Sequence, residues 1–154
     1  MSRNFPHPSL ASFLRPAIVA LRLAALAALI PAAPSVAQPT LIQRGEYLAR
    51  AGDCVSCHTA PGGAQFAGGL RLDTPFGYML APNITPDVET GIGRWSSADF
   101  HRALHDGVNK HGQDMYPTMP YDFYTRATRE DIDAIYAYLR TVKPVRNAVT
   151  VNHL

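Results

Sequence analysis

Apolar side chains recur at intervals of three and four residues in three stretches of the chain, and this spacing predicts three amphipathic helices. The predicted helices cover residues 41–51, begin at a Ser96 or Ser97 cap and end at Gly107, and run from a Thr128 cap towards a stop at Pro144. Gly45 lies inside the first helix, where glycine costs about 1 kcal/mol relative to alanine. A close crossing by a second helix would explain why a glycine stands there.

Residues 60–93, between the first two predicted helices, are rich in glycine and proline. Seven glycines and four prolines interrupt this stretch, and that density argues against long helices or strands. We therefore predict no strand in the chain, and an all-α domain whose long loops surround a cofactor. Asn83-Ile84-Thr85 matches a glycosylation acceptor, but we interpret it as a turn signal without a sugar.

The cofactor is predicted by the sequence Cys54-Val55-Ser56-Cys57-His58, which has the spacing of a c-type haem attachment site. Two thiols on one turn can each bond a vinyl group of the same porphyrin, and the imidazole that follows can bind the iron. A Cys-x-x-Cys pair can also be half of a zinc site or a redox dithiol. Cys54 and Cys57 are the only cysteines, however, so no second pair completes a four-cysteine zinc site.

Residues 1–37 have the pattern of a secretory signal peptide. A positively charged start is followed by a short apolar run at residues 23–30, and Ala37 closes a stretch of small residues at which a signal peptidase would cleave. An uncleaved membrane anchor is the alternative, but Arg22 interrupts the apolar stretch and the run is shorter than the ~20 residues that a span requires. We predict export to the bacterial periplasm, where any peripheral association with the inner membrane would be made through partners only.

Removal of residues 1–37 changes the charge of the protein. The whole chain has 14 basic and 12 acidic residues, and three of the arginines lie in the predicted signal peptide. The remaining chain is therefore slightly acidic and has no basic patch of the kind that binds nucleic acid. We assign residues 38–145 to a single domain and residues 146–154 to a C-terminal tail.

A second axial ligand would complete the coordination of the iron, with His58 as the first. Met79, Met115, Met119 and His111 are candidates, and an open position is a further alternative. We favour Met119 because Pro117 and Pro120 restrict the backbone around it, which suits a ligand that has to stay in place. His101 and His105 are four residues apart on the second predicted helix and could bind a metal, although histidines that face solvent are commoner.

Several short motifs together resemble a class I cytochrome c, and most closely the first haem domain of the cytochrome c subunit of membrane-bound alcohol, aldehyde and gluconate dehydrogenases. The resemblance covers residues 45–145 and rests on residues 47–54 (YLARAGDC), 61–63 (PGG), 66–69 (FAGG), 74–77 (TPFG), 82–87 (PNITPD), 90–93 (TGIG) and 116–121 (YPTMPY). It implies a small helical fold around one covalent haem, with Met119 as the axial methionine. It also implies that the first and last helices cross, which would place Gly45 beside Ile135 and Leu139.

The chain departs from this family in one large respect. Such subunits usually carry three haem domains and a C-terminal segment that associates with the membrane, whereas this sequence contains one attachment motif. Residues 144–154 resemble the start of a linker to a second domain. The sequence therefore corresponds either to part of a three-haem subunit or to a single-haem relative.

Three functions are compatible with these features. The favoured one is a periplasmic electron carrier that takes electrons from a dehydrogenase and passes them to a quinone or another cytochrome. A haem enzyme with a displaceable sixth ligand, of the peroxidase or sulfur-compound dehydrogenase type, is the alternative; Met119 argues against it. A docking module with a structural haem is the third.

The surroundings of the haem can also be predicted in part. Pro75 or Pro82 is expected to offer its carbonyl to the second nitrogen of His58, because a ligating imidazole usually has such an acceptor. Trp95, Tyr78 and Arg94 are candidates for binding the haem propionates.

Overall fold

The first helix follows the local sequence closely. In a computed structural model, which describes residues 38–150 and 152–154, helix α1 runs over Leu41–Ala51, as the apolar spacing predicts. Thr40 caps it: its side chain accepts a hydrogen bond from the Gln43 N–H, and the Gln43 side chain accepts one from the Thr40 N–H. The predicted signal peptide, residues 1–37, lies outside the described part of the chain.

The other described elements are one long helix at each of the two remaining predicted positions, two single-turn helices and a small sheet. In chain order they are α2 (Cys54–Cys57), β1 (Arg71–Thr74), β2 (Gly77–Leu80), α3 (Ser97–His105), α4 (Tyr121–Tyr124), α5 (Arg129–Leu139) and β3 (Asn152–His153). Among the described helices, none combines the length and the apolar character that crossing a bilayer would need.

Helices α3 and α5 form where their caps predict. Ser96 caps α3 together with Asp99, and Gly107 takes the left-handed conformation (φ 68°) just after the helix. Thr128 caps α5 by accepting a hydrogen bond from the Asp131 N–H. Helix α5 ends at Leu139, five residues before Pro144, so the proline lies beyond the helix and is not the residue that ends it.

The core lies around α5, which packs against both α1 and α3, and its tightest point is the crossing of α1 and α5. A Cβ on Gly45 would overlap the Ala134 carbonyl and lie 2.9 Å from the Tyr138 Cβ, so only a glycine fits this close approach. The prediction of a close helix crossing is confirmed. The contacting residues were predicted wrongly, because Ile135 and Leu139 pack in the core beside Ala49 while Ala134 and Tyr138 face Gly45.

The prediction that the chain contains no strand is wrong. Strands β1 and β2 form an antiparallel hairpin in which Arg71 pairs with Leu80 and Thr74 with Gly77, and β3 adds to the other edge of β2. Each hairpin strand has only four residues, so glycines and prolines bound the hairpin rather than prevent it. The core is helical as predicted, but the domain as a whole is not purely α.

Residues beyond the last helix bond to the loop between β2 and α3. The Val145 carbonyl accepts from Asn83 Nδ2 at 2.7 Å, and the Asn147 N–H donates to Thr90 Oγ1 at 2.9 Å. The side chain of Asn147 reaches further and donates to the carbonyl of the buried Ala67 at 2.8 Å. The first part of the segment predicted to resemble a linker is therefore hydrogen-bonded to the domain through Val145 and Asn147.

Replacing Asn147 by alanine is expected to destabilise the folded protein by about 1–3 kcal/mol, because the Ala67 carbonyl would stay buried without its side-chain partner. Urea unfolding followed by far-UV circular dichroism measures this. Arg146→Ala is the matched control, since Arg146 pairs with Glu89 at the surface and its side chain is 76% exposed. The control should change stability by about 0.5 kcal/mol or less, and equal effects of the two variants would contradict the role of Asn147.

Candidate haem site

A cavity of about 960 Å³ lies beside the helical core. This volume is at the upper end of the range of about 300–1,000 Å³ that is typical of ligand and cofactor sites. Its lining is mainly apolar and includes Leu72, Ile92, Trp95, Phe100 and Leu104. The attachment motif contributes Cys54, Cys57 and His58 to the same lining.

The short helix α2 brings the two cysteines together. Asp53 enters it in the left-handed conformation (φ 56°), and the His58 N–H donates to the Cys54 carbonyl at 3.0 Å, which closes one helical turn. Positions three apart on a helix are neighbours, so both thiols lie on one side of this turn. They do not form a disulfide, and burial raises the pKa of Cys54 to about 11, which keeps its thiol protonated at neutral pH.

The imidazole of His58 is held by a carbonyl. Its Nδ1 lies 2.8 Å from the Pro82 oxygen, which selects Pro82 over Pro75 as the predicted acceptor. Because a carbonyl only accepts hydrogen bonds, Nδ1 carries the proton and Nε2 keeps its lone pair. Burial also lowers the pKa of His58 and so favours the neutral ring, the form that binds a metal ion.

The candidates for the second axial ligand all line the cavity. Met79, Met115, Met119 and His111 contribute to it, so the structure brings them together without choosing among them. Met79 differs from the others in that its sulfur already accepts a hydrogen bond from Thr118 Oγ1, at 3.5 Å. Met119 as the ligand therefore stays a prediction.

Of the three candidates for binding the propionates, Trp95 and Arg94 lie together and Tyr78 lies apart. Trp95 lines the cavity and also a smaller neighbouring pocket of about 490 Å³, which Arg94 and Lys110 line as well. Tyr78 lies outside the cavity lining, with its ring stacked on His153 at 4.4 Å and the Arg71 guanidinium 3.9 Å above it. The structure therefore supports Trp95 and Arg94 better than Tyr78.

Two contributions to the site were missed by sequence reasoning. Tyr124 lines the cavity and donates a hydrogen bond of 2.6 Å to the Gly52 carbonyl, and burial raises the pKa of its phenol to about 12. The aromatic residues that follow Met119 were the available signal, but nothing in them indicates which ring turns inwards. Leu154 also lines the cavity, because strand β3 brings the tail back over the sheet.

Alternative metal sites receive no support from the geometry. The described residues contain no group of three or more histidine, cysteine, aspartate or glutamate side chains placed to hold a metal. The rings of His101 and His105 stack at 5.0 Å, and His105 Nδ1 pairs with Asp106 at 2.7 Å.

Asn83, the residue of the possible glycosylation acceptor, is only 4% exposed, and both its amide nitrogen and its amide oxygen are hydrogen-bonded. It is therefore a structural residue and no acceptor for a sugar.

The residues that line the cavity fit a haem. An extended apolar lining suits a flat, mostly apolar ring, and the few polar groups include a neutral imidazole with a free lone pair and two adjacent thiols. Thioethers and imidazole are the protein groups by which haem c is held.

Sequence similarity to known proteins supports this fit. A sequence model of the cytochrome c family matches residues 42–143. The gluconate 2-dehydrogenase cytochrome c subunit of Pantoea cypripedii is 52% identical over 113 residues, which cover 73% of this chain and 26% of that protein. The cytochrome c subunit of a quinone-dependent alcohol dehydrogenase from Gluconacetobacter polyoxogenes is 49% identical over 110 residues, or 71% of this chain and 24% of that protein.

A further relative is a subunit of the nicotinate dehydrogenase of Pseudomonas putida, which is 47% identical over 114 residues, 74% of this chain and 10% of that protein. The chain thus spans between a tenth and about a quarter of the length of these relatives. Because the family match extends over most of the described residues, the chain belongs to the cytochrome c family, whose members bind haem c covalently and transfer electrons rather than transform a substrate.

Proposed function

We propose that the chain carries one haem c, attached through Cys54 and Cys57, with His58 and Met119 as the axial ligands of the iron. The observation that carries this proposal is the bond from His58 Nδ1 to the Pro82 carbonyl beside the two thiols, because it leaves Nε2 free in a cavity large enough for the ring. Pro117 and Pro120 restrict the backbone on both sides of Met119, which supports a fixed second ligand.

The proposed role is the transfer of single electrons without catalysis. When bound, the haem supplies a reversible one-electron couple, and a methionine ligand raises its reduction potential. The chain would contribute by filling both axial positions, which keeps substrates away from the iron. Its apolar lining, with Ile92, Phe100 and Leu104, would exclude water and thereby favour the less charged reduced state.

The partner is proposed to be a dehydrogenase, because the relatives are named as subunits of gluconate, alcohol and nicotinate dehydrogenases. A quinone or another cytochrome is the proposed acceptor. Residues 1–37 would direct export to the periplasm, residues 38–145 would form the haem domain, and residues 146–154 the tail. The leader pattern and the haem motif support this location together, because c-type haem is attached to exported chains.

One mass measurement tests the attachment, the haem count and the cleavage of the leader together. The exported protein is expected to start at Gln38 and to carry the mass of one haem after denaturation. The Cys54→Ala/Cys57→Ala double variant should lose all covalent haem, because no thiol remains to bond the vinyl groups. Ser56→Ala, in the same turn, is the control and should keep it.

Two outcomes would contradict the proposal. Haem that acidified acetone extracts from the wild-type protein would exclude covalent attachment, and a second haem mass would exclude the single-haem assignment. The electron-transfer role is tested separately by mixing the oxidised cytochrome with a co-purified dehydrogenase and its substrate. Failure of the haem to become reduced would remove the dehydrogenase as donor.

A further inference from the structure

The segment that carries Met119, residues 116–127, makes few hydrogen bonds to the other described residues. Within the described chain, two hydrogen bonds connect residues 116–127 to other parts, and both come from side chains. Thr118 Oγ1 donates to the Met79 sulfur at 3.5 Å, and Tyr124 Oη donates to the Gly52 carbonyl at 2.6 Å. Because a thioether is a weak acceptor, the Tyr124 bond is the stronger of the two.

The other end of this bond lies beside the haem-attachment turn. Gly52 is the C-cap of α1 and stands two residues before Cys54. A carbonyl at the end of a helix has no partner inside that helix. The phenol of Tyr124 satisfies it where the chain turns into α2, and both residues line the cavity.

The contact between the two elements is close. A Cβ on Gly52 would lie 3.4 Å from the Tyr124 ring, so the ring packs against the backbone as well as bonding to it. The bond spans 72 residues of sequence and joins the turn that carries His58 to the segment that carries Met119. Each of these two elements carries one of the two residues proposed to bind the iron.

We propose that Tyr124 is a positioning residue that latches the segment carrying Met119 to the haem-attachment turn. The inference rests on the proposed role of Met119 and adds a group that keeps this ligand in place. Tyr124 acts through the Gly52 backbone. Loss of this bond would let residues 116–127 move away from the attachment turn more often, and would thereby raise the population of an open form in which Met119 is off the iron.

Imidazole binding to the oxidised protein measures that population. An added ligand binds the open form, so its apparent affinity rises in proportion to the open fraction. Tyr124→Phe keeps the ring and removes only the hydroxyl that bonds to Gly52. We expect the apparent affinity for imidazole to rise about fivefold, as the loss of one partly buried hydrogen bond of about 1 kcal/mol predicts.

Tyr136→Phe is a matched control. Its hydroxyl also donates to a backbone carbonyl at 2.6 Å, that of Trp95, but it joins α5 to the start of α3 and makes no bond to residues 116–127. The two variants should lose similar thermal stability, whereas imidazole affinity should change by less than about twofold in Tyr136→Phe. Equal increases in both variants, or none in Tyr124→Phe, would overturn the latch.

Hydrogen exchange tests the latch independently of which group binds the iron. The amides of Tyr121, Phe123, Thr125 and Ala127 bond within the segment and should exchange faster in Tyr124→Phe than in Tyr136→Phe, whichever group binds the iron. If Met119→Ala leaves the wild-type spectrum unchanged, the proposed axial methionine fails while these exchange rates still decide the latch. Unchanged exchange in Tyr124→Phe would overturn the latch even with Met119 on the iron.

Discussion

Replacing Met119 by alanine is expected to abolish the weak far-red absorption band of the oxidised protein, which arises from charge transfer between a methionine sulfur and ferric iron. The reduction potential should fall as well, because a thioether ligand stabilises the reduced iron. Optical spectra and a redox titration of the exported, haem-loaded protein measure both effects. The covalent haem should remain, since Cys54, Cys57 and His58 are unchanged.

The structure supplies two controls for this experiment. Met115 and Met79 line the same cavity, and each offers a sulfur that could bind the iron instead. Met115→Ala and Met79→Ala should keep the far-red band if Met119 is the ligand. Loss of the band in Met115→Ala alone would move the assignment to Met115, and a high-spin spectrum of the wild-type protein would favour the haem-enzyme alternative.

Replacing Gly45 by alanine is expected to destabilise the haem-loaded protein by about 2 kcal/mol or more. The added methyl group would overlap the backbone carbonyl of Ala134, which cannot turn aside as a side chain could. Overpacking typically costs about 1–3 kcal/mol and occasionally more, and we expect the upper end here because the overlapped group is backbone. Alanine recovers only about 1 kcal/mol through its higher helix propensity, which leaves a net loss of about 2 kcal/mol or more. The steric cost exceeds the propensity gain because α1 and α5 would have to separate.

Chemical denaturation of the purified protein measures this loss, and the yield of haem-loaded protein should fall with it. Tyr47→Ala in the same helix is the control, because the Tyr47 side chain is 70% exposed and its removal should change stability by about 0.5 kcal/mol or less. If Gly45→Ala were as stable as the wild-type protein, the two helices would not cross as closely as they do in the structure.

The long helices could be predicted from the sequence because their signals are local. Apolar spacing, the caps at Thr40, Ser96 and Thr128, and Gly107 at the end of α3 all act within a few residues. The hairpin was missed for the same reason. Its strands are too short for an alternating pattern, and pairing with β3 depends on residues more than 70 positions away.

The attachment motif could also be recognised from the sequence, because its two thiols and its imidazole belong to five consecutive residues, 54–58. The sequence alone determined that two thiols and an imidazole share one turn, that a glycine stands inside α1 at a cost in helix propensity, and that methionines are available further along. It did not determine which backbone groups surround them. Two prolines were equally good acceptors for His58 until the fold brought Pro82, 24 residues away, to within 2.8 Å of its ring.

The tertiary structure alone decided the contacts that hold the site together. The Tyr124 phenol reaches Gly52 across 72 residues, and Asn147 reaches Ala67 across 80. Such hydrogen bonds depend on where the helices cross and on which way a loop turns, and the spacing of residues in the sequence predicts neither. Local sequence therefore determined the helices and predicted the covalent chemistry. Chain packing decided how the proposed ligands are positioned, because positioning depends on residues that are neighbours only in the folded protein.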